Sequence, residues 1–483
     1  MKTYRLILPL FATMISLGAV AQTSFDAAKL YDEELNGTAR YVGMGGAMGA
    51  FGSDISVISH NPAGIGTYRK SDINLSVSSF GTSVSTDPLA TKTHQLSANG
   101  RTYFSHNNKS DINMAFDNFA AVFSGSDLGN NYFNFAFSYR KLQNMDRDLD
   151  YYDTFKDADG VPVLRDYKDN QRNKVHSFDF NLSCNLSDMV YFGWTIGVLS
   201  TDTWSEGYFY DYYDKGAHPS YPDGLDYTAA DKMNQAEGSG WNMALGTIIR
   251  PIPAIRLGAA IKSPTYYKTT LEYADYLYAV MGTAKDGSKF SNSVDYKFTS
   301  PWSIDLSAGL TLGLGDVNCA LGAEYERHFT QRTSLSIGNT KLESQGAVDY
   351  KDYSVLKVGT ELNIKNISLR GGYNYKESMF NDDSYPFLYD TDFNGWKKDS
   401  NGNVTEVGRT DFQIDRPGKT QYFTGGIGYC SAPDRDGTQF YIDLAYVHGV
   451  RNSLFNLNEY VEDIDVDYKY KTDKVMLTIG WNF

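Results

Sequence analysis

The chain has 483 residues, of which 41% are hydrophobic and 14% aromatic, and its formal net charge is −14. A strongly acidic chain is poorly suited to hold nucleic acid through phosphate contacts, so we expect no nucleic-acid partner. Tyrosine, phenylalanine and glycine are abundant, which favours strands and turns over helices. The three cysteines, Cys184, Cys319 and Cys430, are widely spaced and odd in number, so they cannot form a disulfide framework alone.

Residues 1–21 are typical of a secretory signal peptide. Lys2 and Arg5 give a positive start, an apolar run follows, and the small residues that end at Ala21 fit a cleavage site. We therefore exclude this segment from the fold and predict an exported chain. No later run of about 18 apolar residues predicts a transmembrane helix.

Residues 22–70 precede the first predicted strand and are rich in small residues. Gly43, Gly45 and Gly46 lie in a run that permits close backbone approach and tight turns. The segment ends in a polar turn, Asn61-Pro62-Ala63-Gly64, which cannot be a helix interior because proline lacks an N–H. Such a segment is suited to fold as a plug inside a barrel.

Residues 71–483 repeat a period-two alternation, with one apolar and one polar face. Phe133, Phe135 and Phe137, for example, alternate with small or polar residues. The pattern predicts 14 strands, each end uncertain by a few residues. They lie near 72–85, 113–124, 131–142, 174–187, 189–212, 237–250, 254–268, 295–313, 316–336, 352–363, 366–379, 419–430, 437–450 and 468–483.

Short and long links alternate between these strands, as in an up-and-down barrel with short turns on one side of a membrane. In hydrocarbon only helices and closed barrels pair every backbone group. The sequence therefore predicts an all-β fold, a 14-stranded antiparallel transmembrane β-barrel, with a secreted β-sandwich as the alternative. The long polar links are predicted at 143–173, 213–236, 269–294, 337–351, 380–418 and 451–467.

Charged residues fall on the predicted inner face of the barrel. Burying a single unpaired charge in a dry core costs a prohibitive free energy, so these residues imply a lumen that is wet or ion-paired. They could form a polar path, bind the plug, or simply pair with one another and stiffen the wall. The candidate residues are Asp179, Asp305, Glu324, Lys357, Glu361, Arg370 and Asp443.

The segment before the first strand resembles the FadL/TodX-type outer-membrane transporters of long-chain fatty acids and other hydrophobic compounds. The strand count and an aromatic C-terminus, with Trp481 and Phe483 on one face, match the same family. The matching residues of the segment are Arg40, Gly43, Gly45, Gly46, Ala47, Asp54, Asn61, Pro62, Ala63 and Gly64.

The resemblance implies that residues 22–70 are a plug, or hatch, whose turn Asn61–Gly64 lies at the barrel wall. It implies capture of a ligand from outside and its sideways release at a kinked strand, without ATP. It places the chain in a Gram-negative outer membrane, with long loops extracellular and both termini periplasmic. Trp481 and Phe483 resemble the signal that the barrel-assembly machinery reads.

The sequence thus predicts passive uptake of hydrophobic small molecules such as long-chain fatty acids. We expect a monomer, with outer-membrane lipid and the barrel-assembly machinery as its other partners. No GxSxG or HExxH constellation occurs, so we predict no enzyme. The scattered histidines lead us to expect no metal and no cofactor. Two alternatives are open: uptake of haem or aromatic compounds by the same architecture, and a non-transporting surface adhesin or structural barrel.

Overall fold

The structure is a computed structural model, and the part of the chain that it describes is almost entirely β-strand. No helix in this part is long and apolar enough to cross a membrane. The described residues are 30–86, 112–125, 131–156, 161–213, 226–281, 284–330, 333–337, 340–342, 350–380, 395–398, 404–407, 414–458 and 463–483. The predicted signal peptide and residues 22–29 lie outside them.

The described elements are one short α-helix, two 3-10 helices and twenty strands. The helix α1 is Ala39–Gly43, and the 3-10 helices are Ile55–Ser59 and Pro62–Thr67. The strands are β1 Asp72–Thr86, β2 Ile112–Ser124, β3 Asn131–Lys156, β4 Pro162–Leu186, β5 Val190–Tyr213, β6 Tyr227–Ile252, β7 Ile255–Lys262, β8 Tyr266–Met281, β9 Ala284–Thr299, β10 Trp302–Leu314, β11 Val317–Phe329, β12 Ser334–Ile337, β13 Thr340–Leu342, β14 Tyr353–Ile364, β15 Ile367–Lys376, β16 Gly395–Lys398, β17 Val404–Val407, β18 Ile414–Cys430, β19 Gln439–Asn458 and β20 Asp463–Asn482.

The wall is a closed antiparallel barrel because its first and last strands pair. β1 and β20 are in register from Asp72 opposite Asn482 to Thr86 opposite Tyr468. Beyond this seam, Ser71 and Phe483 exchange backbone hydrogen bonds of 2.9 and 3.0 Å. A closed sheet has no free edge and leaves no unpaired row of backbone groups in hydrocarbon. The prediction of a 14-stranded antiparallel barrel is confirmed.

Three predicted wall strands are each divided in two, which is where the strand assignments were wrong. The predicted strand 254–268 consists of β7 and β8, 295–313 contains β9 and β10, and 316–336 contains β11 and β12. The first two breaks occur at Pro264 and Pro301, and proline cannot donate to a ladder. The wall is therefore interrupted across three neighbouring positions.

The ladder pairs on either side of the breaks show how the wall deforms. Trp302 lies opposite Phe329 in one ladder, and Thr299 lies opposite Ser334 in the next. Two residues thus separate β9 from β10, whereas four separate β11 from β12. The extra residues loosen the regular pairing at this level of the barrel.

Several links predicted as polar loops are instead extensions of the strands. β3 continues to Lys156 and β4 starts at Pro162, inside the predicted link 143–173. Similarly, β6 starts at Tyr227 and β8 ends at Met281. The outward face of these extensions is no longer an apolar band: on β8, Thr270 and Glu272 are exposed, whereas Leu271 is buried inside. Strands β3 and β6, of 26 residues each, exceed the roughly 9–11 that a bilayer needs, so they project beyond it.

The two faces of the wall differ as the period-two pattern predicts. Outward side chains are large, apolar and exposed, as Phe133, Phe180 and Leu306 show at 54%, 51% and 54%. Inward neighbours such as Ser138 and Asn181 are polar and buried. An apolar outer band around a polar interior is the arrangement of a membrane-spanning barrel.

Residues 30–71, called here the N-terminal segment, lie in the barrel lumen. The helix α1 contacts β15, β18, β19 and β20, whereas the 3-10 helix Pro62–Thr67 contacts β3, β4, β5 and β6. These strands belong to different arcs of the wall, so the segment reaches across the interior. Its apolar core includes Met44, Met48 and Ile58, each no more than 1% exposed.

Candidate functional site

The predicted plug turn packs against the wall. Asn61 is the N-cap of the 3-10 helix Pro62–Thr67, and its side-chain oxygen accepts a hydrogen bond from the N–H of Ala63. The same side chain donates to the carbonyl of Thr247 on β6 at 3.2 Å. Asn181 on β4 donates to the carbonyl of Pro62 at 3.3 Å. Pro62, Ala63 and Gly64 are buried, so the turn is held by two wall strands.

Wall glycines make room for this turn. A Cβ on Gly193 would lie 2.3 Å from the Pro62 carbonyl, and one on Gly246 would lie 2.1 Å from the Asn61 side-chain oxygen. Both distances are far below a normal contact, so any side chain at these positions would move the turn. The groove in β5 and β6 is thus shaped by its glycines.

The three predicted plug glycines approach the opposite arc of the wall. Gly45 has φ +63°, and a Cβ there would lie 2.8 Å from the backbone nitrogen of Tyr373. Gly46 also has a positive φ, and Gly43 lies against Arg370. Two features therefore require glycine at position 45: the left-handed backbone conformation and the close approach to another chain segment.

One charged network joins α1 to the wall. Arg40 donates two hydrogen bonds to the carboxylate of Glu361, at 2.9 and 3.0 Å. Arg370 donates to the same carboxylate at 2.6 Å and to Asp443 at 2.5 Å. Two cations thus balance two anions. Burial opposes the charge of Arg40, but Glu361 outweighs it and raises the pKa of the guanidinium.

A second charged network lies next to the plug turn. Lys357 donates to Glu324 at 2.7 Å and also to Glu326. Glu324 accepts the backbone N–H of Gly49 at 2.8 Å, and His60 lies 3.1 Å from Glu326. Asp305, 6% exposed, pairs across the ladder with Glu326. Neither of its carboxylate oxygens has a hydrogen-bond partner among the described residues.

A third network holds the start of the N-terminal segment. Asp32 lies 3.0 Å from Arg451 and also pairs with Lys376, and Glu33 lies 2.7 Å from Lys262. Burial disfavours the carboxylate of Glu33, but Lys262 outweighs it and holds the pKa of Glu33 at about 2. Burial also disfavours the carboxylate of Asp32, but Arg451 and Lys376 outweigh it and lower the pKa of Asp32, so both acids are anions at neutral pH.

The sequence prediction missed this third network. Its wall residues were recoverable, because Lys376 and Arg451 continue the inward alternation that starts at Arg370 and Asp443. The acidic run at Asp32 carried no periodic signal, since the N-terminal segment is irregular there.

The seven predicted lumen residues are all on the inner face, but not in one site. Asp179 pairs with Arg140 at 2.6 Å, on the neighbouring wall strand, and does not contact the N-terminal segment in any hydrogen bond of the described residues. The other six belong to the first two networks. Of these, Glu324 and Glu361 hydrogen-bond directly to the N-terminal segment.

An apolar layer lies inside the barrel, on the long-hairpin side of these networks. On β14 the chain passes from Tyr353 and Val355 in this layer to Lys357 and Glu361, and then to the short turn. Leu30 and Tyr31 of the N-terminal segment are part of it. We call it the inner apolar layer: Leu30, Tyr31, Leu142, Val175, Leu199, Ala236, Tyr267, Leu271, Tyr296, Phe298, Tyr353, Val355, Met379 and Phe380.

Tyr31 closes the layer from the side of the N-terminal segment. Its ring stacks on Phe298 at 5.5 Å between centroids, and Phe298 stacks on Tyr267 at 6.1 Å. The hydroxyl of Tyr267 donates to the carbonyl of Leu30 at 3.1 Å. The first described residues of the segment are thus packed into an aromatic lining of the wall.

A cavity of about 90 Å³ separates the inner apolar layer from the second network. It is bordered by Tyr31, Tyr353, His60 and Lys357. Such a space holds several water molecules but is smaller than the roughly 300–1,000 Å³ of ligand pockets. A larger ligand needs the N-terminal segment to move.

The predicted assembly residues lie at the barrel seam. Trp481 and Phe483 face outward and are 46% and 51% exposed. Trp481 packs against Phe440 of the neighbouring strand, with ring centroids 5.5 Å apart. Their reading by an assembly machinery stays a prediction.

No family model and no curated protein matches the sequence. Solved structures match its fold. A FadL homologue from Pseudomonas aeruginosa is 13% identical with a TM-score of 0.58, over 93% of this chain and 99% of that chain. The fold is that of the FadL/TodX-type barrels.

Two toluene transporters show the same likeness. TodX of P. putida is 14% identical with a TM-score of 0.56, over 93% of this chain and 99% of that chain. TbuX of Ralstonia pickettii is 14% identical with a TM-score of 0.51, over the same shares of the two chains. At such identities the likeness concerns the FadL/TodX fold and carries no residue role.

Proposed function

We propose that this chain is an outer-membrane transporter that takes up hydrophobic small molecules passively through a plugged barrel. The observation that carries the proposal is the inner apolar layer. A structural barrel or a water-filled porin has a polar interior. Here Leu199, Phe298 and Val355 are buried and point inward at one level of the lumen. Apolar side chains at this level favour the binding of a hydrophobic ligand.

The N-terminal segment acts as the plug in this proposal. The three charged networks attach it to the wall between β7 and β19, and Leu30 and Tyr31 fill part of the inner apolar layer. The cavity behind them is too small for a long-chain molecule. Passage therefore requires the segment to shift, and the ligand and Leu30–Tyr31 compete for the same lining.

The wall interruption is the proposed sideways exit. Thr265, Ser300 and Pro301, at the breaks in two neighbouring wall positions, line the cavity next to the plug. Across the break, Ser300 donates its N–H to the carbonyl of Thr265 at 3.0 Å. A loosened ladder with few backbone bonds needs less energy to part than a regular one. This assignment rests on the resemblance to FadL/TodX-type transporters.

The test compares two adjacent residues of β5 that point in opposite directions. Leu199 is 2% exposed and faces the inner apolar layer, whereas Val198 is 46% exposed and faces outward. In Leu199→Ser, the affinity for a hydrophobic ligand is expected to fall about tenfold, because roughly 1.5 kcal/mol of apolar burial is lost. Val198→Ser is the matched control and should bind as the unmodified protein does.

Binding is measured on purified, detergent-folded protein with oleate, toluene and haem as separate probes. Long-chain fatty acids are the first candidate cargo. Aromatic hydrocarbons are the second, because TodX and TbuX are toluene transporters of the same fold. Saturable binding of none of the three probes would reject transport and favour the adhesin or structural barrel. Equal losses in Leu199→Ser and Val198→Ser would reject the inner apolar layer as the site.

A further inference from the structure

The second charged network contains more negative charge than its one ammonium can balance. Asp305, Glu324 and Glu326 surround Lys357, and the three carboxylates and one ammonium carry a formal charge of −2. All four side chains are at least nine-tenths buried. A buried charge of this size needs a counter-ion or protons.

The network also holds an imidazole at the right place for a cation. One ligand atom from each of His60, Glu324 and Glu326 lies within 4.8 Å of the other two. Two ligands of one Zn²⁺ ion, bonded at roughly 2.0–2.2 Å, lie up to about 4 Å apart, so a small closing movement suffices. Carboxylate oxygens with an imidazole nitrogen suit Zn²⁺.

The buried side chain of Asp305 also indicates a cation in this network. Its side chain is 6% exposed, and neither carboxylate oxygen has a hydrogen-bond partner in the described part of the chain. It borders the same cavity as His60 and Glu326. A buried carboxylate whose oxygens accept no hydrogen bond, on the same cavity as His60 and Glu326, is placed to hold a metal-bound water.

We propose that His60, Glu324 and Glu326 form a Zn²⁺ site, with Asp305 beside it, that latches the N-terminal segment to the wall. His60 comes from the N-terminal segment and both glutamates come from β11, so one ion would bridge the two parts. The ring of His60 is oriented by stacking on Tyr41 at 5.9 Å. The cavity borders both His60 and Glu326, so an ion in it can reach both side chains.

Lys357 competes with the ion, and this sets the strength of the site. Its ammonium contacts both glutamates, so it must leave one of them when Zn²⁺ binds. His328, 3.4 Å from the second oxygen of Glu326, orients that carboxylate. The proposal differs from the sequence prediction of no metal, and it does not depend on the cargo.

The test is a Zn²⁺ titration of chelator-stripped, detergent-folded protein at pH 7.5, followed by calorimetry. The unmodified protein should bind one ion. His60→Ala should weaken binding at least about 100-fold, more than loss of an outer-shell partner does. His448→Ala is the matched control, because His448 on β19 pairs with Asp473 on β20, away from β10, β11 and β14, and should not alter binding. Lys357→Met should bind more tightly, because the competing ammonium is gone.

A second readout separates the latch from the site. Zn²⁺ should slow trypsin cleavage within the N-terminal segment of the unmodified protein but not of His60→Ala. Absence of saturable Zn²⁺ binding, or unchanged affinity in His60→Ala, would overturn the site. Binding without slower cleavage would overturn the latch. Each variant is first checked for the compact, heat-sensitive gel migration of a folded barrel.

Discussion

Glu361 is the residue whose loss should most weaken the attachment of the plug. It accepts two hydrogen bonds from Arg40 and one from Arg370, and Asp443 completes a neutral set of four charges. Glu361→Gln removes one anion and leaves two guanidinium groups facing a single carboxylate. Breaking a buried ion pair by removing one partner costs about 3–5 kcal/mol.

Most of that cost falls on the docked state of the plug. When the segment leaves, Arg40 is solvated, whereas Arg370 keeps Asp443. The side chain of Arg40 is 30% exposed, so solvent screening favours the lower end of the range. Since about 1.4 kcal/mol is a factor of ten, the undocked population should rise about 100-fold.

The assay is ion conductance of single barrels in planar bilayers, in which an undocked plug gives an open event. The open fraction of Glu361→Gln should rise by the factor above. Asp473→Asn is the matched control, because Asp473 is 55% exposed and its side chain, among the described residues, hydrogen-bonds to Tyr446 and His448 of the wall. A second Arg40→Met change should cancel part of the effect, since no unpaired cation remains. A wild-type open fraction in a folded Glu361→Gln barrel would refute the reasoning.

Three further predictions concern acid, the plug groove and assembly. Because the folded pKa of Glu33 is about 2, its pairing with Lys262 stabilises docking fully above about pH 4.5 and is lost as pH falls toward 2. Single-barrel conductance measured against pH should show this loss, and Lys262→Met should remove the dependence. Gly246→Val should displace the plug turn and raise conductance. Gly313→Val is its control and should leave conductance unchanged, because a Cβ there meets only Asn318, at 3.5 Å. Equal conductance of the two variants would contradict the role of the groove. Phe483→Ser should lower the yield of folded barrel in outer membranes, measured by heat-sensitive gel migration, and an unchanged yield would reject the assembly signal.

The wall was predictable from the sequence wherever one face is apolar. Phe178, Phe180 and Leu182 alternate with polar residues, and the structure exposes all three on the outer face. The strand extensions were not predictable in this way, because beyond the hydrocarbon the outward face is polar, as at Thr270 and Glu272 of β8. The breaks at Pro264 and Pro301 had a visible signal, since proline removes a ladder donor, yet the periodicity on either side continues across them.

The charged networks were predictable only on the wall side. Period-two alternation places Glu361 and Arg370 inward, but nothing in it says that Arg40 of the N-terminal segment would reach them. The irregular segment has no period, so its position depends on the glycines and on the charges that it meets. The pairing therefore required the structure.

The same N-terminal segment touches both the charged networks and the inner apolar layer, and this links binding to release. Tyr31 stacks in the apolar layer, and the next two residues, Asp32 and Glu33, hold the third network. A hydrophobic ligand that displaces Tyr31 must also pull on these ion pairs. Binding of the ligand and undocking of the N-terminal segment are therefore coupled, and the coupling free energy is the same in both directions. Any change that weakens the ion pairs, such as protonation of Glu33 in acid, should then favour entry of the ligand. Ligand affinity of the proposed transporter should therefore rise as the ion pairs are lost, until the layer itself unfolds.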